Sequence, residues 1–305
     1  MTTTAETLIA KVQRRCFWPS TNAPYSDADI LAIADEEIAG VIWPAIISTQ
    51  GDYYVSTIDH TITNTYDRYR LPTNSYGPVR DITYVDSAGV ESSLTKMDLE
   101  DIGRLAVTSS DDYQHFFDGD FVGLYPTPTA TLGTLRIRYF RHPSTLALAS
   151  AGTTVNVAIE SSTATTFTVV TIPATFTAGA YVDVTNHGNS HQLLLDRWLL
   201  SAASSYTLTS LTAWGGSGVT SGNYVTLSGT TSIVPVPDHM LPWLIARVSA
   251  ACLQGNDPQN AQIQRGIAAD CEARAISISK PRSMAEPNTI VTRNSPYRRV
   301  MGGGW

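Results

Sequence analysis

The sequence has 305 residues, of which 43% are hydrophobic and 15% are charged. This balance supports a buried core and argues against disorder over most of the chain. No run of about 18 apolar residues occurs and charges interrupt the first residues, so neither a membrane-spanning helix nor a signal peptide is predicted. The three cysteines, Cys16, Cys252 and Cys271, are too widely spaced for a disulfide framework or a metal knuckle.

Apolar periodicity predicts two helices near the N-terminus. Leu8, Ile9 and Val12 have helical spacing within residues 4–15. Ser26 is placed to cap a second helix, whose apolar stripe continues to Ile46 and which Pro44 should kink.

From Gly51 the apolar period changes to two, which is typical of β-strands. A first hairpin is predicted with its turn at Asn64, and a second around the turn Asp86–Gly89. The stretch from Tyr113 to Tyr139 predicts three further strands, with a turn at Gly119.

Beyond Pro143 the sequence is rich in Thr, Ser, Ala, Gly and Val. Short alternating runs separated by glycine-bearing turns predict an all-β module, a small sandwich or barrel, over residues 151–233. Asp238 is predicted to cap a helix, and Pro258 to begin another that places Ile263, Ile267 and Cys271 on one face. The predicted fold class is α+β, with a helical base formed by the N- and C-terminal helices with β-hairpins, an inserted β module and an extended tail.

Four regions follow from these elements. Residues 1–150 are predicted to form a helical and β-hairpin core, residues 151–233 an inserted β module, residues 234–279 C-terminal helices that pack on the core, and residues 280–305 an extended basic tail. The net charge of −7 conceals this tail, which is basic whereas the body is acidic. Such an asymmetry is typical of an interaction arm.

The motifs of common enzymes are missing from the sequence. The glycine-rich stretch 215–222 matches neither a nucleophile elbow nor a phosphate or dinucleotide loop. His187 and His191 lie in a sequence that favours a loop rather than a helix, so no metal site is predicted there. We therefore predict no enzyme activity, no catalytic residue, no cofactor and no metal. The remaining acidic groups are interpreted as solvated turn or helix-surface residues: Asp111, Asp112, Asp118, Asp120, Asp35, Glu36 and Glu37.

Four segments, in this order, carry a resemblance to a known family. They are WPAIISTQGDYYV, the aromatic and proline-rich stretch Phe116–Pro128, the alternating strand Leu135–Pro143, and the proline-flanked helix start Pro235–Trp243. This order, followed by the arginine-bearing IVTRNSPYRR, resembles bacteriophage head-to-tail adaptor proteins, the neck components that dock on the portal ring.

The resemblance implies a structural protein of the virion neck, assembled in the host cytoplasm. It implies a homo-oligomeric ring of about twelve copies, through which DNA passes without sequence-specific binding, and which contacts the portal protein and tail or further neck proteins but no membrane. It also implies that the C-terminal segment extends to bind the portal. The residues assigned to that contact are Lys280, Arg282, Arg293, Arg298, Arg299 and Trp305.

The composition of the tail agrees with this role. A proline-rich, arginine-bearing arm buries little apolar surface and orders on a partner, where arginine pairs with carboxylates and Trp305 provides an aromatic anchor. The alternative hypothesis is a surface- or carbohydrate-binding phage appendage, in which the Thr/Ser-rich β module acts through Trp198 and Trp214.

Overall fold

The computed structural model describes residues 3–18, 24–49, 53–102, 113–129, 133–158, 163–188, 193–211 and 218–279. The chain forms two compact units. The first comprises residues 1–7 and 52–235, and the second comprises residues 8–51 and 236–305. Several β-sheets and a few helices make up the described residues, which confirms the α+β class. The helical base, the tail and the four predicted regions stay predictions.

Five α-helices lie in the described ranges. They are α1 (Ala5–Arg15), α2 (Asp27–Glu37), α3 (Trp43–Thr49), α4 (Leu241–Leu253) and α5 (Pro258–Ser279), with a π-helical turn at Ile38–Ile42 and short 3-10 helices at Leu99–Asp101 and Ala149–Ala151.

The predicted cap of α2 is confirmed. The Ser26 hydroxyl accepts the Asp29 N–H at 3.2 Å, and the Asp29 carboxylate accepts the Ser26 N–H at 3.0 Å, a reciprocal capping box. The Ser26 hydroxyl also donates to the Asp29 carboxylate at 2.7 Å, and this bond, together with the one from the Ser26 N–H, lowers the pKa of Asp29. By contrast, α4 begins after Met240, which makes no side-chain capping bond, so the prediction that Asp238 caps this helix is wrong.

Where a kink was predicted at Pro44, the structure has a π-helical turn, Ile38–Ile42, one turn earlier between α2 and α3. Pro44 has no N–H to donate, and its ring would crowd the carbonyl of residue 40, four positions earlier. The wider turn resolves this conflict, because the Trp43 N–H bonds to the carbonyl of Ile38, five residues back. The helix axis therefore continues through a local π-bulge.

The second unit is built around α4, which packs against both α2 and α5. Trp243 and Leu244 are fully buried, as are Ile42 and Trp43. Helix α5 turns alanines towards the interior at a spacing of seven: Ala261, Ala268 and Ala275. Ile263 and Ile267 lie on the other side and are 54% and 37% exposed, so the predicted apolar face of α5 is its outer face.

The first unit contains sixteen strands within the described residues. They are β1 (Val55–Ile62), β2 (Arg68–Arg70), β3 (Ser75–Val85), β4 (Glu91–Ser93), β5 (Thr95–Lys96), β6 (Gln114–Asp118), β7 (Phe121–Tyr125), β8 (Gly133–Arg141), β9 (Thr145–Leu146), β10 (Thr153–Thr154), β11 (Thr166–Thr168), β12 (Tyr181–Thr185), β13 (Leu193–Ser204), β14 (Thr207–Ser210), β15 (Tyr224–Leu227) and β16 (Thr230–Thr231).

Two four-stranded sheets share a core. One has the order β1-β8-β3-β4 and the other has the order β2-β7-β6-β5. Buried side chains of both sheets meet between them: Ile62, Tyr69, Ile82, Val122, Leu124, Leu135 and Ile137. The remaining strands form a six-stranded sheet, β10-β15-β12-β13-β14-β11, with its own core around Phe167, Trp198 and Leu200, and a short pair of β9 with β16.

The hairpins have mixed outcomes. The turn at Asp86–Gly89 is confirmed: the Asp86 carboxylate accepts the N–H groups of Ala88 and Val90, both at 2.8 Å, and Gly89 has φ +83°. The hairpin predicted around Asn64 is wrong, because β1 pairs with β8 and β2 pairs with β7 in the other sheet. The chain crosses between sheets at this turn.

The strands predicted in the threonine-rich region are present as β11, β12, β14 and β15. The longest strand of that sheet, β13, was not predicted. Its sequence, LLLDRWLLSAAS, lacks strict alternation, and a bulge shifts its register against β12 between Val182 and Val184. Bulged strands lose the period of two on which strand prediction depends.

Gly123 in β7 is expected to tolerate no side chain. It lies opposite Phe116 of β6, and an added Cβ would lie 2.1 Å from the Phe116 ring. Gly123→Ala should therefore destabilise the protein by about 1–3 kcal/mol. The matched control is Gly266→Ala in α5, where nothing lies within 4 Å of the added atom and the change should stabilise by about 0.5–1 kcal/mol. Urea unfolding checks both, and equal shifts of the midpoint in the two variants would contradict the prediction.

Candidate functional site

The outer face of the β1-β8-β3-β4 sheet carries a cross-strand network of ion pairs. Arg136 of β8 donates from Nε and Nη2 to the two Asp59 oxygens, both at 2.9 Å, and lies 3.4 Å from Glu91. Arg138 pairs with Asp81 at 2.9 Å and with Glu91 at 2.5 Å. Alternation in β8 explains the arrangement, since Leu135, Ile137 and Tyr139 point into the core while the arginines point outwards.

Acidification is expected to weaken this network through Asp59. Hydrogen bonds from Arg136 are the main reason that the pKa of Asp59 lies below its ordinary value. A carboxyl group with a lower pKa in the folded than in the unfolded chain stabilises the fold only when ionised. Its contribution is therefore present at neutral pH and is lost as the pH falls below about 4.

Asp59→Asn tests this dependence. Because the pair is partly exposed, the variant should lose at most about 1 kcal/mol near neutral pH, and the difference from the parent protein should shrink near about pH 3. Urea unfolding at the two pH values measures it, with Asp120→Asn in the exposed β6–β7 turn as the control. An Asp59→Asn penalty of the same size at both pH values would contradict the assignment.

The second unit presents a groove of about 280 Å³ between its helices. It is lined by Glu37 at the end of α2, by Arg247 of α4, and by Ala268, Ala269 and Glu272 of α5, with other residues. Arg247 donates to the Glu37 carboxylate. Glu37, which the sequence analysis assigned to the solvent-exposed surface of α2, is thus held in an ion pair within the unit.

Among the histidine and acidic residues considered as metal ligands, His187 and Asp118 contact other side chains through a hydrogen bond and an ion pair, respectively. His187 Nδ1 lies 2.9 Å from Asn223 Oδ1, and the His187 N–H donates to the same oxygen at 3.1 Å. Asp118 at the end of β6 pairs with Arg68 of β2. His191, Asp111 and Asp112 lie outside the described residues. In the parts of the chain that the structure describes, no group of three or more His, Cys, Asp and Glu side chains is arranged to hold a metal ion.

The cysteines are unpaired thiols. Cys16 and Cys252 are buried and Cys271 is half-buried. Burial raises the pKa of Cys16 to about 11 and that of Cys252 to about 12. Both thiols are therefore protonated at neutral pH and are weak nucleophiles.

The two tryptophans of the alternative hypothesis have different outcomes. Trp198 is only 5% exposed and stacks on Phe167, with 5.0 Å between ring centroids and 29° between ring planes. A ring that forms part of the core offers no face to a sugar, so the prediction that Trp198 binds carbohydrate is wrong. Trp214 lies outside the described residues.

All six residues assigned to portal binding also lie outside the described residues: Lys280, Arg282, Arg293, Arg298, Arg299 and Trp305. Their role stays a prediction. The last described residue, Ser279, closes α5; its hydroxyl donates to the Ala275 carbonyl at 2.8 Å and lies 2.9 Å from His239 Nε2. The described helix therefore ends one residue before the proposed arm begins.

Sequence reasoning missed one buried cation, Arg141. Alternation along β8 places it on the same face as Leu135, Ile137 and Tyr139, and it is buried like them. That register was the available signal, because a charged residue in phase with the apolar positions of a strand points towards the interior.

The two four-stranded sheets and the helical unit carry ion pairs, and the helical unit contains the two buried thiols. A family model described as "SU10 adaptor protein" matches residues 3–182, more than half of the sequence, and the chain belongs to this family. No curated protein matches the chain.

This membership confirms the resemblance to phage adaptors. The matched range contains three of the four segments on which the resemblance was based, WPAIISTQGDYYV, Phe116–Pro128 and Leu135–Pro143, whereas Pro235–Trp243 lies beyond it. The family is one of structural adaptors rather than of enzymes, and it implies a place in the virion and interaction with portal and tail proteins. Among the described helices, none combines the length and apolar character needed to cross a membrane.

Proposed function

We propose that this chain forms a closed ring of about twelve copies below the portal of a tailed phage. The ring joins the DNA-filled head to the tail and continues the DNA channel. The observation that carries the proposal is the match of residues 3–182 to an adaptor family. It agrees with the sequence order of apolar helix, aromatic hairpin and alternating strand.

A closed ring requires two different, complementary surfaces on each copy. The outer face of α5 is suited to be one of them, because it exposes Ile263, Ile267 and Ile278, the last of these 56% exposed. Large apolar side chains exposed along one side of a helix are typical of surfaces that another protein covers. A neighbouring copy that packs on α5 would bury them.

The acidic composition supports passage of DNA without specific binding. The chain has a net charge of −7, and a wall that attracted phosphates strongly would retard the DNA. Residues 280–305 are the proposed arm that binds the portal, and residues 151–233 the proposed inserted module. We propose assembly in the host cytoplasm before the tail attaches.

Electron microscopy of the purified chain mixed with its purified portal protein tests the proposal. We expect a ring at one end of the portal that shares its rotational axis, with the copy number countable in top views. The chain alone serves as the control for rings that form without the portal. A mixture in which no chain is bound to the portal, or in which the chain forms a separate spike, would contradict the proposal.

A further inference from the structure

The first unit contains a cavity of about 710 Å³ at the end of β8. Arg141, the last residue of β8, lines it together with Asn74, Asp183, Asp196 and Arg197. The strands β12, β13 and β15 and their turns therefore meet the end of β8 around one space. Four charged side chains of both signs converge there.

Arg141 is buried without a hydrogen-bond partner for part of its guanidinium group. The residue is 6% exposed, and its Nη1 atom is out of contact with solvent and makes no hydrogen bond within the described residues. The charges of Asp196 and Asp183 favour its protonated form, whereas burial opposes it and lowers its pKa. Buried donors are nearly always paired in proteins, so an unused arginine donor is a reason to expect an acceptor from elsewhere.

The other charged groups of the cavity already make hydrogen bonds within the unit. The two oxygens of Asp183 accept the N–H groups of Arg197 at 2.8 Å and Gly229 at 3.0 Å. Asp196 accepts from the Asn74 amide at 3.4 Å. Among the charged groups that line the cavity, Arg141 is the one with a buried donor that no described residue accepts.

Arg197 shows that the cavity wall is held in a specific conformation. It has φ +52° at the bulge of β13, a backbone conformation that non-glycine residues rarely adopt. Its N–H is fixed by Asp183, and its guanidinium lies over the Tyr181 ring, 5.1 Å from the centroid, and donates to Thr73 at 3.1 Å. Backbone strain of this kind persists where surrounding contacts impose it, and it clusters at binding sites.

We propose that this cavity binds a carboxylate side chain of a partner protein, and that the guanidinium of Arg141 donates hydrogen bonds to this carboxylate. A carboxylate matches the planar fork of arginine and supplies an acceptor for the guanidinium of Arg141. Ala180, Leu227 and Pro143 also line the space, and they offer apolar contacts to the methylene groups of a glutamate. The proposal depends on the cavity alone and not on the copy number or position of a ring.

The test uses the full chain with labelled arginine side chains and follows the Nε–Hε signal of Arg141 by NMR. The probes are the blocked tripeptide Ala-Glu-Ala, its Ala-Gln-Ala counterpart, sodium acetate and inorganic phosphate. We expect a saturable shift with the glutamate peptide in the millimolar range, about the affinity that a single ion pair gives, and none with the glutamine peptide. Acetate should shift the same signal more weakly.

Variants make the outcome specific. Arg141→Gln should weaken binding of the glutamate peptide at least about tenfold by calorimetry, whereas Arg70→Gln, at an exposed position of β2, should leave it unchanged. Should Arg141→Gln fail to fold, Asp196→Asn provides the second measurement, because removal of an exposed negative charge beside Arg141 should tighten binding severalfold. Equal shifts with both peptides, an effect of phosphate or acetate without one of the glutamate peptide, or no response to any probe would overturn the proposal.

Discussion

Removal of residues 280–305 is expected to reduce portal binding at least about 100-fold while the remaining chain stays folded. The segment carries five basic side chains and Trp305, against the single acid Glu286. Arginines that pair bidentately with carboxylates, together with a buried aromatic anchor, are the residue types that dominate interface energies. Loss of all of them at once should therefore remove most of the binding energy.

The structure determines where the truncation should be made. Ser279 is buried at the end of α5 and bonds to Ala275 and lies beside His239. A chain that ends at residue 279 keeps these contacts, whereas a chain that ends earlier loses them. The far-UV circular dichroism and the unfolding midpoint of the truncated protein should therefore match those of the full chain.

Surface plasmon resonance with immobilised portal measures the effect. Two further variants separate the contribution of charge from that of arginine geometry. The triple variant Arg293→Gln, Arg298→Gln and Arg299→Gln removes charge. The double variant Arg298→Lys and Arg299→Lys keeps the charge but removes the planar guanidinium groups. We expect large and intermediate losses of affinity, respectively, with the first loss shrinking at high salt. Undiminished binding of the chain that ends at residue 279 would rule out the arm as the portal contact.

Trp243→Ala is expected to have the largest effect on stability. Trp243 is fully buried in α4, at the centre of the second unit. Truncation of a buried tryptophan to alanine leaves a cavity and typically costs about 3–5 kcal/mol. We expect this loss as a lower urea midpoint with an unchanged slope, followed by circular dichroism because the substitution also alters fluorescence.

Two tryptophan variants are matched to it. Trp18→Ala removes a half-buried ring that stacks on Tyr25 at 5.6 Å between centroids, and it should cost about 1 kcal/mol. Trp243→Phe should cost less than about 2 kcal/mol, because the indole N–H of Trp243 has no hydrogen-bond partner among the described residues and its loss breaks no bond. A Trp243→Ala penalty no larger than that of Trp18→Ala would contradict the packing of α4.

Local patterns predicted the elements that depend on neighbouring residues. Ser26 and Asp29 are three residues apart, and their capping box forms as expected. Asp86 and Gly89 form their turn by bonds within five residues. Helix α5 begins at Pro258, as the sequence predicts. In each case, the groups that interact lie within a few residues of one another in the sequence.

The candidate site could be predicted only in part, for different reasons. The basic segment after residue 279 is visible in the sequence as charge, but its contacts depend on a partner. The cavity at Arg141 was missed because its residues come from distant parts of the chain, Asn74, Arg141, Asp183 and Arg197. The period-two register of β8 was a signal for the inward direction of Arg141 that we did not use, and it contains no information about what surrounds the side chain.

By itself, the sequence determined the α+β class, most helix and strand positions, the basic tail and the resemblance to phage adaptors. These features depend on composition, on periodicity and on bonds between residues close in the chain. Only the tertiary structure decided that β1 pairs with β8 rather than with β2, that Trp198 belongs to a core, and that Arg141 is buried beside unused space. Pairings between distant strands are selected by the burial of whole faces, and no local pattern encodes which faces meet.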